Sequence, residues 1–253
     1  MLRILTYNVH SCRGLDGRPS PGRIAEVIAA ARPDIVALQE LDVGHARTGR
    51  LDQAQAIARE LGMGFHFHPA RQVKAEHYGD AILSALPFRL VKAGALPDPP
   101  HRPPFYEPRG ALWVAVEFGG GAGELQVITT HLGLLARERA LQVEALLGEE
   151  WLGHPACRGR PAVLLGDLNA VPRSRAYARL VGAGRLRDAQ RVVRGHRPRP
   201  TFPARWPLLR LDHVLLGEGV EARKVEVRRG PLERAASDHL PLVVDLEVRA
   251  PGP

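Results

Sequence analysis

Short apolar runs that end in a polar residue recur along this chain, and the clearest of them occupies residues 163–169. These residues read Val-Leu-Leu-Gly-Asp-Leu-Asn. Consecutive large apolar residues predict a strand that is buried on both faces. If the extended geometry continues, Asp167 and Asn169 point to the same side, because alternate residues of a strand share a face. The chain is therefore expected to fold around buried strands whose ends carry oxygen-bearing side chains.

The N-terminal part of the chain predicts a strand, a helix and a second strand. Residues 2–9 and 35–40 have the apolar pattern of strands, and the second run ends in Glu40. Between them, Ser20 and Pro21 predict the start of a helix, since serine is a favoured N-cap and proline suits the first helical position. A βαβ beginning of this kind is typical of an α/β fold.

The remaining elements follow from the same patterns. Strands are predicted at 64–68, 80–86, 88–95, 111–118, 124–130, 162–167, 211–216, 222–228 and 240–248, and helices at 51–61, 135–150 and 174–183. Pro87 is interpreted as a turn between antiparallel neighbours. The helix at 51–61 would place Leu51 on its apolar side.

Glycine and proline are spread along the whole chain, with 26 and 22 residues. This distribution indicates one domain, residues 1–249, followed by a frayed tail at 250–253. Residues 94–110 contain six prolines and predict a surface loop, as do residues 194–210. In the second loop, Phe202 and Trp206 either offer stacking surfaces to a substrate or pack onto the core, and the sequence leaves both interpretations open.

Charge, cysteine content and hydropathy narrow the range of functions. The formal net charge is +8 and arginine carries it, because the chain has only three lysines; this favours an anionic partner slightly. The two cysteines lack metal-binding spacing, so neither a zinc site nor a disulfide framework is indicated. The chain starts directly with a strand-like run, and no apolar run approaches the roughly 20 residues of a membrane helix. We therefore expect a cytoplasmic monomer without stable membrane insertion.

Polar residues at the ends of apolar runs form the candidate site. They are Asn8, Glu40, His131, Asp167 with Asn169, Asp212, and Asp238 with His239. One such residue is more often an ordinary turn residue, but six coincidences indicate a shared site. Carboxylate and amide oxygens without cysteine favour Mg²⁺ or Mn²⁺, and the histidines supply acid–base groups. Together these groups predict hydrolysis of a phosphate ester.

Seven short motifs carry a family resemblance. They are Tyr7-Asn8-Val9, Leu38-Gln39-Glu40, residues 78–84, residues 129–132, residues 166–169, residues 210–213 and residues 237–241. Their order resembles that of the endonuclease/exonuclease/phosphatase superfamily, which includes deoxyribonucleases and neutral sphingomyelinases, and the match runs from residue 4 to about 246. The resemblance implies a four-layer α-β-β-α sandwich, with two mixed β-sheets packed face to face and helices outside.

The resemblance also implies residue roles. Glu40, with Asn8 nearby, would hold the divalent metal, and Asp238 would sit beside it. His239, oriented by Asp212, would be a general base or a phosphate contact. Asp167 would position or deprotonate the attacking water. The substrate phosphate and its pentacovalent transition state would be bound by Asn169, His131 and Arg109.

Two positions bear on which branch of the family the chain resembles. His131 stands where abasic-site endonucleases usually have tyrosine, so the chain is nearer the deoxyribonuclease, sphingomyelinase and phosphatase branches. Asp80 stands where many relatives have asparagine. An additional carboxylate there would raise neighbouring pKa values or help a second cation, and a surface hydrogen-bonding replacement is the alternative.

The leading hypothesis is a Mg²⁺-dependent phosphodiesterase, with Mn²⁺ as a second possible metal and DNA or RNA as the expected substrate class. A phospholipid or sphingomyelin phosphodiesterase, or a small-molecule phosphatase, is the alternative among enzymes. A catalytically silent scaffold that binds nucleic acid or protein is the alternative of another class. It would be expected to lack one or more of Glu40, Asp167, Asp212 and His239, and all of these are present.

Overall fold

A computed structural model describes residues 1–100, 106–121, 123–182 and 186–249. The strands are β1 (Leu2–Asn8), β2 (Ile35–Val43), β3 (Gly64–Val73), β4 (Glu76–Ser84), β5 (Phe88–Ala95), β6 (Gly110–Phe118), β7 (Gly123–Thr130), β8 (Ala162–Asp167), β9 (Arg187–Asp188), β10 (Asp212–Leu216), β11 (Val220–Val227) and β12 (Leu242–Val248). The helices are α1 (Pro21–Ala31), α2 (Gln53–Leu61), α3 (Ala136–Leu147), α4 (Arg175–Gly182), α5 (Ala189–Val192) and α6 (Pro231–Ala236). The tail predicted at 250–253 lies outside the described residues.

Two mixed six-stranded sheets form the centre of the fold. The first has the order β11-β12-β1-β2-β4-β3, and the second has the order β5-β6-β7-β8-β10-β9. β1 runs parallel to β2, and β7 runs parallel to β8. The other neighbouring pairs are antiparallel.

Helices cover the outer faces of both sheets. The core between the sheets draws side chains from both of them, including Ile4, Ile82, Leu112, Val127 and Leu165. Outside the first sheet, α1 and α2 contribute Ile24, Ile28 and Ile57. Outside the second sheet, α3 and α4 contribute Val143, Leu146 and Tyr177. The expected four-layer α-β-β-α sandwich is thus confirmed.

Strand periodicity decides which polar residues face the space between the sheets. On β1, Ile4 and Asn8 share the inner face with Thr6, because alternate residues of a strand point to the same side. On β8, Asp167 likewise continues the inward-facing row of Leu165. The polar strand ends therefore occupy positions that would continue the core, at one edge of the sandwich.

The interpretation of Pro87 as a turn between antiparallel neighbours is wrong. β4 lies in the first sheet and β5 in the second, so the chain crosses between sheets there. Ser84 stabilises the crossing, since its Oγ donates to the carbonyl of Leu86 at 2.9 Å and accepts from the N–H of Leu86 at 3.0 Å. Pro87 has no backbone N–H, so it interrupts strand pairing both at a turn within one sheet and at a crossing between sheets. The sequence alone therefore does not distinguish the two.

The start of the second helix also differs from its prediction. Asp52 caps α2, because its carboxylate accepts the backbone N–H of Gln55 at 2.9 Å. Leu51 therefore precedes the helix and is exposed. In the described part of the chain, each helix is too short or too polar to cross a membrane.

Candidate active site

Asn8 joins the ends of strands from both sheets. Its Nδ2 donates to Glu40 Oε1 at 2.8 Å and to Asp167 Oδ2 at 3.0 Å. Asn8 and Glu40 belong to the first sheet and Asp167 to the second, so this one amide links the two sheets at the edge of the core. Asn8 is fully buried, and its position is therefore fixed by both sheets.

Glu40 reaches the site through a β-bulge. The pairing of β2 with β4 shifts between Leu38 and Leu41, and Glu40 has a left-handed backbone with φ 62°. By strict alternation Glu40 would face the helices together with Leu38. The bulge turns its carboxylate toward Asn8 instead. β2 consequently continues to Val43, beyond the end that the sequence predicts.

Asp80 lies opposite this bulge and is not a surface residue, so the surface alternative for it is wrong. It is only 3% exposed, and its carboxylate accepts a hydrogen bond from the backbone of Glu40. Burial raises the pKa of Asp80 to about 7, and the Arg109 guanidinium acts in the opposite direction. The Asp80 carboxylate thus hydrogen-bonds to the backbone of Glu40 and interacts electrostatically with Arg109.

His239 and Asp212 form a buried pair beside Asp167. His239 Nδ1 lies 2.8 Å from Asp212 Oδ2, and its Nε2 lies 3.6 Å from Asp167 Oδ2. Burial alone would lower the pKa of His239, but the carboxylates of Asp212 and Asp167 raise it to about 10. At neutral pH the imidazole is therefore a cation that donates to Asp212 through Nδ1 and presents its Nε2–H to the cleft.

His131 has the opposite protonation state. Arg109 Nη1 lies 3.1 Å from its Nδ1, and because a guanidinium only donates, that nitrogen must accept. Burial, followed by the charge of Arg109, lowers the pKa of His131 to about 3. The neutral ring carries its proton on Nε2, which lies 3.5 Å from Asp167 Oδ2.

Asn169 completes a group of donors with His131. Its Nδ2 lies 3.0 Å from His131 Nε2 and donates to the carbonyl of Leu132 at 2.9 Å. The prediction that extended geometry brings Asn169 to the side of Asp167 is wrong in detail. β8 ends at Asp167, and Asn169, with φ 45°, donates its backbone N–H to Asp167 Oδ1 at 2.9 Å. A side-chain-stabilised turn brings it into the cleft.

The carboxylates at the Glu40 side fit a divalent cation. Burial raises the pKa of Glu40, and repulsion from Asp167 and Asp238 raises it further. Carboxylate oxygens are the ligands that Mg²⁺ and Mn²⁺ prefer, and a cation would relieve this repulsion. A second group, Asp167 with Asp212 and His239, has ligand atoms within 4.8 Å of one another. It fits a cation less well, because Asp212 already accepts from the charged imidazole of His239.

These residues surround a cleft of about 480 Å³. The sequence-predicted residues that line it are Glu40, Arg109, His131, Asp167, Asn169, Asp238 and His239. Asn8 and Asp212 lie buried directly behind this lining and are fully inaccessible. The structure thus brings together every residue of the predicted site.

The structure separates the two aromatic residues of the 194–210 loop. Phe202 lines the cleft, and its ring centroid lies 4.7 Å from that of His239. Trp206 is 71% exposed. Phe202 therefore packs against a residue of the site, whereas Trp206 is presented to solvent. Neither a shared stacking surface nor packing of both rings onto the core describes the loop.

Sequence reasoning missed a second wall of the cleft, formed by Ser11, Arg13, Arg47 and Thr48. None of these residues ends an apolar run, so the strand-end pattern gives no signal for them. The cluster of Arg47 and Thr48 before Gly49 indicates only a polar turn in the sequence. Their contribution to the cleft depends on how the loop after β2 folds back over the turn that follows β1.

A family model described as Endonuclease/Exonuclease/phosphatase family matches residues 5–239. The chain belongs to this family. Members of the endonuclease/exonuclease/phosphatase family are hydrolases that act on phosphoesters. The resemblance seen in the seven motifs is thereby confirmed over nearly the whole chain.

Three other proteins are similar to nearly the whole of this chain. The uncharacterized protein YbhP of Escherichia coli K12 is 25% identical over 262 residues, which cover 97% of this chain and 96% of YbhP. A family structure from Beutenbergia cavernae has 26% identity and a TM-score of 0.78, covering 98% of this chain and 71% of that one. The mannosyl-6-phosphatase Bt3783 of Bacteroides thetaiotaomicron has 21% identity and a TM-score of 0.78, covering 98% and 100%; at this identity it shows a shared fold.

Proposed function

We propose that this protein is a divalent-metal-dependent phosphodiesterase that cleaves its substrate by in-line attack of water, with nucleic acid as the substrate class. The observation that supports this most is the position of Asp167. Its Oδ2 lies 3.0 Å from Asn8 Nδ2, 3.5 Å from His131 Nε2 and 3.6 Å from His239 Nε2. The Asp167 carboxylate thus lies next to Asn8 on the side of the proposed cation, next to the neutral His131 and next to the charged His239.

The cation would be Mg²⁺ or Mn²⁺, held by Glu40 and Asp238, with Asn8 fixing Glu40 from behind. When bound, it would neutralise negative charge on the phosphate. The negative charges of Asp167 and Asp238 beside Glu40 favour its binding, because they raise the electrostatic cost of ionising Glu40.

Asp167 would orient the attacking water and accept its proton. It is nearly fully buried and is held by Asn8 and by the backbone N–H of Asn169 at 2.9 Å. A fixed carboxylate positions a nucleophile at little entropic cost. His239 is then better suited to contact the phosphate as a cation than to act as a general base, since its pKa of about 10 keeps it protonated.

The donors on the opposite side would stabilise the transition state. Arg109 and His131 are fixed by the hydrogen bond from Arg109 Nη1 to His131 Nδ1 at 3.1 Å, and Asn169 is fixed by the hydrogen bond from its Nδ2 to the carbonyl of Leu132 at 2.9 Å. Preorganised donors aimed at oxygens that gain charge are usually the largest single contribution to catalysis. His131, neutral with its proton on Nε2, can donate without first being protonated.

Hydrolysis of a phosphomonoester is the second candidate function. Its specific support is the shared fold of the mannosyl-6-phosphatase Bt3783, whose whole chain is covered by the match. The phosphodiester is preferred here because the excess of basic over acidic residues, 35 against 27 for a net charge of +8, favours an extended polyanion over a small monoester.

Nicking of closed circular DNA in the presence of MgCl₂ tests the proposal, with bis(p-nitrophenyl) phosphate and p-nitrophenyl phosphate as small diester and monoester. We expect EDTA-sensitive nicking and diester hydrolysis, both reduced at least about 10²-fold in His239→Ala. Arg18→Gln is the matched control, because Arg18 is an exposed arginine outside the cleft lining. Hydrolysis of the monoester alone would replace the proposal with the second candidate, and no metal-dependent hydrolysis of any substrate would refute both.

A further inference from the structure

The turn after β1 has an unusual backbone that the proposed chemistry does not explain. His10, Ser11 and Cys12 all have left-handed φ angles, 47°, 53° and 56°. Residues other than glycine rarely adopt this conformation, and they do so singly rather than in succession. Such strain persists only where the surrounding structure enforces it, and it is concentrated at functional sites.

Hydrogen bonds from three different elements hold this left-handed turn. Asn8 Oδ1 accepts the N–H of His10 at 3.1 Å, and Gln53 Nε2 donates to the carbonyl of Ser11 at 2.7 Å. The N–H of Ser20 donates to the carbonyl of Cys12 at 2.8 Å. The turn is therefore rigid, and it places Ser11 and the following Arg13 in the wall of the cleft.

Arg47 lies against this turn with a fixed guanidinium. Its Nε and Nη2 donate to the buried carboxylate of Asp42 at 2.8 and 2.7 Å, and Nη2 donates to Ser11 Oγ at 3.3 Å. Its guanidinium carbon lies 5.9 Å from the ring centroid of Tyr78. Among the residues that the structure describes, Nη1 has no hydrogen-bond partner, and the side chain is 52% exposed. One edge of the guanidinium is thus bound to protein while the other remains available at the cleft.

The cleft consequently has arginines at two separate places. Arg109 is 4% exposed and contacts His131, where the reacting phosphate is proposed to bind. Arg47 and Arg13 line the wall formed by the left-handed turn and the loop after β2. Glu107 lies beside Arg109, with Oε2 3.3 Å from Nη2, and it also interacts electrostatically with Arg47. A single phosphate at Arg109 leaves the second group of arginines unused.

We propose that Arg47 and Arg13 form a second anion subsite, which binds a second phosphate group of the same substrate. A guanidinium with one edge fixed and the other open is suited to charge-assisted hydrogen bonds with phosphate oxygens. The second phosphate is either the neighbour of the scissile phosphate in a polynucleotide or the second group of a small bisphosphorylated molecule. This inference rests on the proposed function in that the first phosphate occupies the Arg109 side.

A purely structural role for Arg47 is the competing explanation, since it neutralises the buried Asp42. Removing Arg47 alone would leave that carboxylate unpaired. The double variant Asp42→Asn/Arg47→Gln removes both charges together. Arg13→Gln provides an independent test, because Arg13 is exposed and forms no ion pair with the residues that the structure describes. Arg18→Gln on the same loop is the matched control.

Calorimetry with hydrolysis-resistant phosphonates at saturating MgCl₂ measures the subsite without requiring turnover. We expect propane-1,3-bisphosphonate to bind wild-type protein about tenfold more tightly than methylphosphonate, as one added charge-assisted contact predicts. The advantage should fall below about threefold in the double variant and in Arg13→Gln, and should persist in Arg18→Gln. Equal affinity of both probes for the wild type, absence of binding by either, or an advantage retained in the double variant would overturn the proposal.

Thermal melting, diester hydrolysis and dinucleotide binding distinguish the remaining outcomes. If thermal melting shows that the double variant is unfolded, Arg13→Gln decides alone, and an unchanged advantage there overturns the subsite. Hydrolysis of bis(p-nitrophenyl) phosphate by the same samples tests the proposed function separately. A bisphosphonate advantage without hydrolysis would contradict the proposed function, and hydrolysis without that advantage would contradict the subsite. Tighter binding of dTpdT when it carries a 5′-phosphate assigns the second phosphate to a polynucleotide; an advantage confined to the bisphosphonate assigns it to a small molecule.

Discussion

At the scale of single residues, the site depends on opposite protonation states of two histidines. His239 faces two carboxylates, and His131 faces a guanidinium. The first imidazole is therefore charged at neutral pH and the second neutral, although both are almost completely buried. The sign of the neighbouring charge, rather than the extent of burial, separates their pKa values.

Replacement of Asp212 by asparagine tests the charge of His239. The wild-type pKa of about 10 means that activity depending on the imidazolium falls as pH rises through that value. In Asp212→Asn this fall should occur at lower pH, because the carboxylate that contributes most to raising the pKa is gone. We also expect kcat to drop about 10²- to 10⁴-fold. The pH profile of diester hydrolysis measures both effects, and an unchanged alkaline limb would contradict the charged role of His239.

Asp80 gives a second residue-scale prediction, for stability. Its pKa is raised to about 7 in the folded state from about 4 in the unfolded chain, so folding disfavours its charged form. That cost is absent below pH about 4 and grows as pH rises to about 7. Asp80→Asn retains an acceptor for the Glu40 N–H without the charge, and we expect it to stabilise metal-free protein at neutral pH by about 1 kcal/mol.

Thermal melts at acidic and neutral pH check the Asp80 prediction. The stabilising effect of Asp80→Asn should be present at neutral pH and should vanish below pH about 4. Asp80→Ala is the matched comparison. It leaves the backbone N–H of Glu40 without its partner and should destabilise at both pH values, by about 1–3 kcal/mol. Equal effects of the two variants would argue against the hydrogen bond as the function of Asp80.

At the scale of elements, the ends of strands are shaped by local departures from regular geometry. β2 carries a bulge at Glu40, the turn after β1 is left-handed, and β8 ends in a glycine followed by Asp167. Each departure re-aims a side chain that regular alternation would leave elsewhere. The sandwich fold determines where the strands lie. The bulge, the left-handed turn and the glycine near the end of β8 determine where the side chains of the site point.

Gly166 shows how little freedom such a strand end has. Its φ is 140°, and a Cβ there would lie 2.0 Å from the carbonyl oxygen of Thr130 on β7. We expect Gly166→Ala to destabilise the protein by about 2–4 kcal/mol, because the neighbouring backbone must move. Gly22→Ala is the control, since a Cβ in that helix meets only the flexible end of Glu60 at 3.4 Å and should be stabilising by up to about 1 kcal/mol. Chemical denaturation of both variants compares them; similar effects would contradict the packing argument.

At the scale of the whole molecule, the site is a joint between two sheets. Glu40 comes from the first sheet and Asp167 from the second, and Asn8 bonds to both. A cation held by Glu40 and Asp238 would reduce the repulsion between the Glu40 carboxylate of the first sheet and the Asp167 carboxylate of the second, and would therefore stabilise the packing of one sheet on the other. Metal binding and folding are thus expected to be coupled thermodynamically.

Thermal melting with and without Mg²⁺ tests this coupling. At a concentration near 100 times its Kd, the ion should stabilise the wild type by about 2.7 kcal/mol, which raises Tm by about 5–10 °C. EDTA should reverse the increase. Glu40→Gln should show little or no shift, because the candidate ligand has lost its charge. A shift of wild-type size in Glu40→Gln, or none in the wild type at millimolar Mg²⁺, would contradict the assignment of Glu40 as a ligand.

The sequence by itself determined the strands other than the two-residue β9, the helices other than the short α5 and α6, and the identity of the polar residues at the strand ends. These are local signals, because an apolar run and the residue that ends it are adjacent in the chain. Asp167 and His239 could therefore be predicted as members of a site without knowing how their strands are arranged. The family resemblance supplied the architecture, and the match over residues 5–239 confirms it.

Only the tertiary structure decided the direction, protonation and surroundings of those residues. The bulge that turns Glu40, the burial of Asp80 and the crossing between sheets at Pro87 all depend on elements distant in sequence. The same holds for Arg47, which joins the cleft because a buried carboxylate and the left-handed turn hold it there. Strand alternation and residue propensity depend on residues that are close in sequence. The hydrogen bonds and charge interactions of the site arise instead between strands of different sheets.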